Sequence, residues 1–283
     1  MLAQPCAPVM AELMKKGNYE AVRVLFEPLR VHLATESIIR GLSPAEVFVD
    51  DAREPKQAVT RLNHGVYLAG SPDNSAFNME LRKVVEGECG VDSLVNRSGM
   101  FIIYHTPGWE PVIDAAFVDS SVHSGTRRYY SLDPRGGIWD VAPPDGFSLL
   151  PLGRELLSGG YRNMDRVVGE MLSERASVED FLERSFGFCM LHGDEAVSWC
   201  ASEYNLADRC EVGIETMEPH KRRGLAFMTC RAVIGEALRR GVHGIGWHCW
   251  SRNTPSVALA LKLGFKFVEE YPVRLLELAP PRA

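Results

Sequence analysis

No stretch of the chain approaches the roughly 18 uninterrupted apolar residues of a membrane span, so no spanning helix is expected. Paired cysteines are lacking too. The seven stand alone at 6, 89, 189, 200, 210, 230 and 249, an odd count without a CxxC pair, so neither a disulfide framework nor a zinc centre is suggested. Most read as small buried hydrophobes, and no metal is expected. An excess of basic charge is also missing. Lys and Arg number 31 against 37 Asp and Glu, and the net charge of −6 argues against general nucleic-acid binding. Residues 1–16 carry no basic run ahead of their apolar positions, so no signal peptide is expected. Together these absences place the chain in a reducing cytoplasm, with neither nucleic acid nor membrane as partner. A homodimer is left open as the assembly.

What is present is an ordinary globular composition, 46% hydrophobic and 24% charged, over 283 residues. That length allows one large domain or two medium ones. In the first half, Val22, Leu25, Leu29 and Leu33 predict a helix over 19–33. Strands are expected at 45–49, 58–62, 65–69, 100–104 and 127–132, with a helix at 77–85. This is an α+β unit without a chemical motif. The Gly/Pro-rich interval 133–146 then reads as a domain boundary, giving an N-terminal domain over 1–140 and a C-terminal one over 147–283.

The second half has a clear order. Helices at 154–157, 167–172 and 178–185 precede a hairpin of strands 187–191 and 196–202, turning at Gly193-Asp194. A strand follows at 210–216, then a helix at 223–240, a strand at 244–250 and a helix at 255–262. Strands at 265–269 and 273–278 close the chain. In strand 210–216, Val212 and Ile214 share one face while Glu211, Gly213 and Glu215 share the other. Between strand and helix lies Pro219-His220-Lys221-Arg222-Arg223-Gly224-Leu225-Ala226. A strand, a glycine-containing basic loop and a helix start form an anion site, because free helix N–H groups and the helix dipole face the ligand.

The segment Lys221–Ala226 resembles the pyrophosphate loop of the GNAT (GCN5-related) N-acetyltransferases, [R/Q]-x-x-G-x-[G/A], with Gly224 and Ala226 matching and Lys221 where Arg or Gln is usual. The strand 244–250, Asn253, the helix from Ser256 and Leu263-Gly264-Phe265 follow in the family's order. The spread of matching residues is similar to the two-domain subfamily that includes the zwittermicin-resistance acetyltransferase. That likeness implies a C-terminal GNAT fold, a mixed central sheet splayed apart and flanked by helices, preceded by a degenerate GNAT-like α+β domain on the acceptor side. It implies acetyl-CoA, or a short acyl-CoA, as donor, held by Ile214, Thr216, Lys221, Arg222, Arg223, Gly224, Leu225, Ala226, Asn253 and Ser256. The acceptor implied is a primary amine of a small molecule. Protein N-acetylation and non-catalytic acyl-CoA sensing are the alternatives.

For the base, Glu215 and Glu211 are both candidates. Glu215 stands beside the coenzyme loop and is slightly preferred, whereas Glu211 aligns better with the histone-acetylase base. A solvated strand carboxylate is the plain alternative for each. The tyrosine many GNAT enzymes use to protonate the thiolate is replaced here by Ala260. His248, Cys249, Ser251 and Tyr271 stand near enough in sequence to substitute, His248 as the candidate acid. Ser256 is expected to cap the last helix, and Asn253 to serve the coenzyme.

Overall fold

The computed structural model describes residues 11–62, 64–87 and 99–278. Cys6 and Cys89 lie outside them. The chain forms two compact units: one holds 1–125 and 272–283, the other 126–271.

In the first unit the strands are β1 (Glu12–Leu13), β2 (Glu46–Val49), β3 (Gln57–Leu62), β4 (Gly65–Gly70) and β5 (Met100–His105). The helix expected over 19–33 is broken into 3-10 turns at Tyr19–Val22 and Glu27–Leu29 around a single α-turn, α1 (Arg23–Phe26). Pro28 provides the reason, since it donates no N–H and crowds the preceding turn. The longer helix is α2 (Leu33–Ile39), then α3 (Ser75–Glu86) and α4 (Glu110–Ala116). Pairing runs β1, β2, β3 and β4 antiparallel, then β4 parallel to β5. The sixth strand comes from the far end of the chain: residues 274–277 of β12 (Lys266–Glu277) pair antiparallel with β5.

The second unit repeats this plan. It has β7 (Phe147–Pro151), β8 (Gly187–His192), β9 (Glu195–Glu203), β10 (Arg209–Thr216) and β11 (Gly244–Trp250). Helices α5 (Arg154–Ser158), α6 (Met164–Met171) and α7 (Val178–Arg184) lie between β7 and β8, α8 (Leu225–Arg239) joins β10 to β11, and α9 (Thr254–Lys262) follows β11. Pairing is antiparallel through β7, β8, β9 and β10, parallel from β10 to β11, and antiparallel again from β11 to residues 127–132 of β6 (Ser121–Leu132). Each unit therefore takes its sixth strand from the other half of the sequence. Where two closing strands were expected at 265–269 and 273–278, a single strand, β12, runs through.

The two units divide at 125/126 and 271/272, outside the interval 133–146. That interval is a strap packed on α8: Arg231 donates to the carbonyls of Ile138 and Asp140, and Trp139 donates to the carbonyl of Pro134. Gly235 makes room for it, since a Cβ there would come within 3.1 Å of Trp139.

The core of the second unit joins Cys230, Val233, Ile234 and Ala237 of α8 to Cys210 of β10, Ile245 and Trp247 of β11 and Tyr130 of β6. Opposite it, Leu156, Val167, Met171 and Phe181 cover Trp199 and Cys189. On β8, Gly187 touches the neighbouring strand so closely that a Cβ would fall 2.5 Å from the Cys200 carbonyl oxygen and 2.6 Å from Leu152 Cδ1. Gly187→Ala is expected to lower unfolding free energy by about 1–3 kcal/mol through overpacking. Urea denaturation followed by tryptophan fluorescence reads this loss, and an unchanged midpoint would refute the tight approach.

Candidate active site

Strands β10 and β11 start as neighbours and then part. They pair at Arg209–Gly244, Cys210–Ile245 and Glu211–Gly246, and no further. Beyond this point β10 stays bonded to β9 as far as Thr216, and β11 to β6 as far as Trp250. The inward backbone groups of residues 212–216 and 247–250 are thus released from sheet pairing and open a fork. The far end of β10 (residues 214–216), the loop after it and the first turns of α8 and α9 border a cleft of about 760 Å³.

One wall of this cleft is the basic loop. Arg222 (φ 61°) and Gly224 (φ 79°) both adopt left-handed backbone, which folds the loop against the start of α8. No side chain caps that helix. Its first N–H groups lack an intrahelical acceptor by geometry, and they face the cleft with the positive end of the helix dipole. Nine of the ten expected donor-binding residues, Ile214, Thr216, Lys221, Arg222, Gly224, Leu225, Ala226, Asn253 and Ser256, line it. Arg223 does not: its guanidinium lies over the Phe147 ring, 4.9 Å from the centroid, with Nη1 3.2 Å from His220 Nδ1. The capping roles of Asn253 and Ser256 are also reversed. Asn253 Oδ1 accepts from the Ser256 N–H and caps α9, whereas Ser256 Oγ accepts from Trp247 Nε1. Phe227, Leu259 and Lys262 also line the cleft. The sequence pattern passed over them, although Leu259 and Lys262 follow Ser256 by one and two helical turns and so share its face.

The three candidate proton-transfer residues fall into two settings. Glu215 lines the cleft as an ion pair with Arg166 of α6, and 35% of its side chain is exposed. Glu211 stands where the strands part and is 7% exposed. His248 of β11 joins it, with Nε2 3.3 Å from Glu211 Oε1. On the far side of the ring, His248 Nδ1 is 2.7 Å from the Tyr271 hydroxyl, and the Tyr129 ring stacks on the imidazole at 4.6 Å. Tyr129 was missed in the sequence, because only the antiparallel register of β6 and β11 brings it opposite His248. Its hydroxyl is pushed above the usual tyrosine range by burial and then by the Glu211 charge.

More carboxyls follow on this face of β10. At Gly213 a Cβ would fall 2.0 Å from Glu170 Oε1 and 2.5 Å from Glu203 Oε1, so only glycine accommodates both. Burial holds both groups above the ordinary glutamate range; at Glu203 the Glu170 and Glu211 charges add to it, whereas at Glu170 the hydrogen bond with Glu203 works against it. Ala260 is fully buried, so the position where many relatives carry a tyrosine offers no proton donor. Cys249 is 5% exposed, and burial pushes its thiol up, away from thiolate chemistry. Among the described residues no group of His, Cys, Asp and Glu could hold a metal ion, and no helix is long and apolar enough to cross a membrane.

The first unit has the same strand–helix–strand order with its fork closed. Strands β4 and β5 pair from Gly65–Ile102 through Leu68–His105, and the directly paired Tyr67 and Tyr104 stack at 4.8 Å. The connection into α3 carries Asp73 in place of the basic residues. Asn74 Oδ1 takes the N–H groups of Ala76 and Phe77, so the helix start is already occupied. Thr106 and Trp109 both donate to the Gly70 carbonyl. Of the two units, the second alone presents the open fork and the basic loop among the described residues.

Comparison with known proteins agrees with this geometry. The GNAT acetyltransferase family model matches residues 24–274. An uncharacterized N-acetyltransferase of Bacillus subtilis strain 168, YdfB, is 28% identical over 267 residues, 94% of this chain and 98% of its own. A GCN5-related N-acetyltransferase-like protein from Streptococcus suis 89/1591 superposes with a TM-score of 0.70 at 22% identity, covering 92% of this chain and 98% of that one. A GCN5-related N-acetyltransferase from Sphaerobacter thermophilus shares the fold at a TM-score of 0.58 and 14% identity, with 95% and 96% covered. The match runs through both units, and the chain belongs to the GNAT acetyltransferase family as an acyl-CoA-dependent acetyltransferase.

Proposed function

We propose that the protein transfers an acetyl or short acyl group from acyl-CoA to a primary amine of a small molecule, with Glu211 receiving the amine proton. The observation that carries this reading is the carboxylate–imidazole pair at the point where β10 and β11 part. The donor's diphosphate suits the start of α8, where left-handed backbone at Arg222 and Gly224 turns N–H groups toward the cleft and Lys221 and Arg222 add charge. Its pantetheine arm suits the fork, whose released backbone groups can bond an amide-bearing chain.

The acceptor class follows from charge. Glu211 and Glu215 share one face of β10, and carboxylates there favour an ammonium-bearing acceptor. An amine must shed its proton before it attacks, and a buried carboxylate coupled to an imidazole supplies a base at the fork. Glu215 is engaged by Arg166 and has less freedom to take that role, so the slight preference for it in the sequence gives way to Glu211. A CoA thiol has an ordinary pKa of about 8.5 and leaves as thiolate without a strong acid. This is compatible with alanine at position 260.

Two experiments test the reading. Gly224→Val forces a β-branched residue into a backbone region it strains to adopt, at an estimated cost of about 1–3 kcal/mol. Calorimetry should record CoA affinity reduced about tenfold or more, and unchanged affinity would move the donor site elsewhere. Thiol release from acetyl-CoA, screened against small primary amines and lysine peptides, should favour the small amines. Against the best of them, Glu211→Gln is expected to reduce kcat at least ~100-fold, with acyl-CoA binding kept. Glu215→Gln should cost much less. The reverse order would return the base to Glu215, and faster acylation of peptides would overturn the acceptor class.

A further inference from the structure

The first unit carries a cleft of its own, about 510 Å³ in volume, between the turn that joins β2 to β3 and the connection from β4 into α3. Four carboxylates line it, Asp50, Asp51, Glu54 and Asp73, against one exposed cation, Lys56. Local hydrogen bonds build the walls. Asp50 Oδ1 accepts the N–H groups of Lys56 and Gln57, both at 2.9 Å, and Asp51 Oδ1 accepts those of Arg53 and Glu54 at 2.7 and 3.1 Å. Gly70 (φ 83°) lets the end of β4 approach this turn, since a Cβ there would fall 2.0 Å from the Lys56 carbonyl oxygen. On the other wall, the Ser71 carbonyl accepts from Gln57 Nε2, and Ser71 Oγ donates to Asp73 Oδ2.

Two side chains of this cleft are more than nine-tenths buried and keep an acceptor oxygen in reserve. Gln57 is 1% exposed, and its Oε1 has no hydrogen-bond partner among the described residues. The orientation of that amide is fixed, because the Ser71 carbonyl can only accept and so faces the NH2 group. Asp50 is 7% exposed, and its carboxylate meets the N–H groups of the turn through Oδ1, which leaves Oδ2 for another donor. A buried acceptor without a donor is costly, and one beside a buried carboxylate in an acidic cleft calls for a cation that carries hydrogens. Among the described residues the acidic side chains do not group as the ligands of a metal ion do. We propose that this cleft is a second binding site, for a small organic diamine with one ammonium group donating to Asp50 Oδ2 and Gln57 Oε1. Asp51, Glu54 and Asp73 hold its other charge. An ammonium group carries three donors and no acceptor, as two unused oxygens require. Four carboxylates against one lysine leave three negative charges in excess, which favours a dication over a monoamine. The site lies within the first unit and does not rest on the acyl-transfer reading.

Putrescine is the probe, added to the full chain at low ionic strength, where surface charges are least screened. The readout is the side-chain amide signal of Gln57 in nitrogen–proton NMR, assigned by its loss in Gln57→Met. Putrescine should shift that signal in a saturable manner in the wild type. Asp50→Asn keeps an oxygen for the two N–H groups of the turn and replaces Oδ2 with a donor, so the titration should weaken about tenfold or more. Should that variant unfold on heating well below the wild type, Glu54→Gln and Asp73→Asn at the rim take its place, and each should weaken binding several-fold. The carboxylates of the fork also attract amines, so Glu211→Gln is titrated beside them and should leave the Gln57 shift as in the wild type. n-Butylamine, with one charge, should bind more weakly than putrescine. An unmoved Gln57 signal at millimolar putrescine would overturn the inference, as would equal affinity in the wild type and all three carboxylate variants. A signal that moves with calcium and not with putrescine would overturn the ligand class, and equal affinity for n-butylamine would overturn the dication. Failure of acetyl transfer in the thiol-release screen would leave this titration unaffected.

Discussion

The second unit is organised around backbone groups that lose their sheet partners. Every strand N–H and C=O that leaves water must be satisfied, and β10 and β11 stop satisfying one another after Glu211 and Gly246. Each remains paired on its outer side, β10 to β9 and β11 to β6, so the separation is set by the sheet pairing itself. The gap is lined by peptide groups that no sheet partner uses. The same divergence exposes the start of α8 and leaves Glu211 and His248 facing each other where the strands part.

The first unit acts as an internal control on that argument. Its parallel pair β4 and β5 runs in register to Leu68–His105, and Tyr67 and Tyr104 stack across it. Its helix start is taken by Asn74, and its connecting loop has no cluster of basic residues. The same order of strands and helices is thus present without the parted strands, the uncapped helix start and the basic loop, which the second unit alone combines among the described residues.

How much could be read in advance depended on how local each feature was. The Lys221–Ala226 loop, strand 244–250 and the α9 segment were legible because turn chemistry, alternation and helical spacing lie within a few residues. Strand β7 was passed over, as it follows directly on the Gly/Pro-rich interval. Helix α4 was also missed: Pro111 reads as a breaker, yet it sits in the first turn, where proline is tolerated. The different neighbours of Glu211 and Glu215, His248 for one and Arg166 for the other, were not legible, because only pairing and packing bring them near. The exchange of β6 and β12 lay beyond reach for the same reason, since a strand's pattern does not name its partner.

That exchange has a consequence for dissecting the protein. A fragment beginning at residue 147 retains the whole loop and fork yet lacks residues 127–132, so one side of β11 would become a bare sheet edge next to the imidazole. Bare edges recruit other strands, and such a fragment would be prone to self-association. A fragment ending at residue 140 would strip β5 of its neighbour in the same manner. The two halves of the gene are therefore poor units for cloning or recombination, and a viable cut would have to leave each long strand with the sheet it completes.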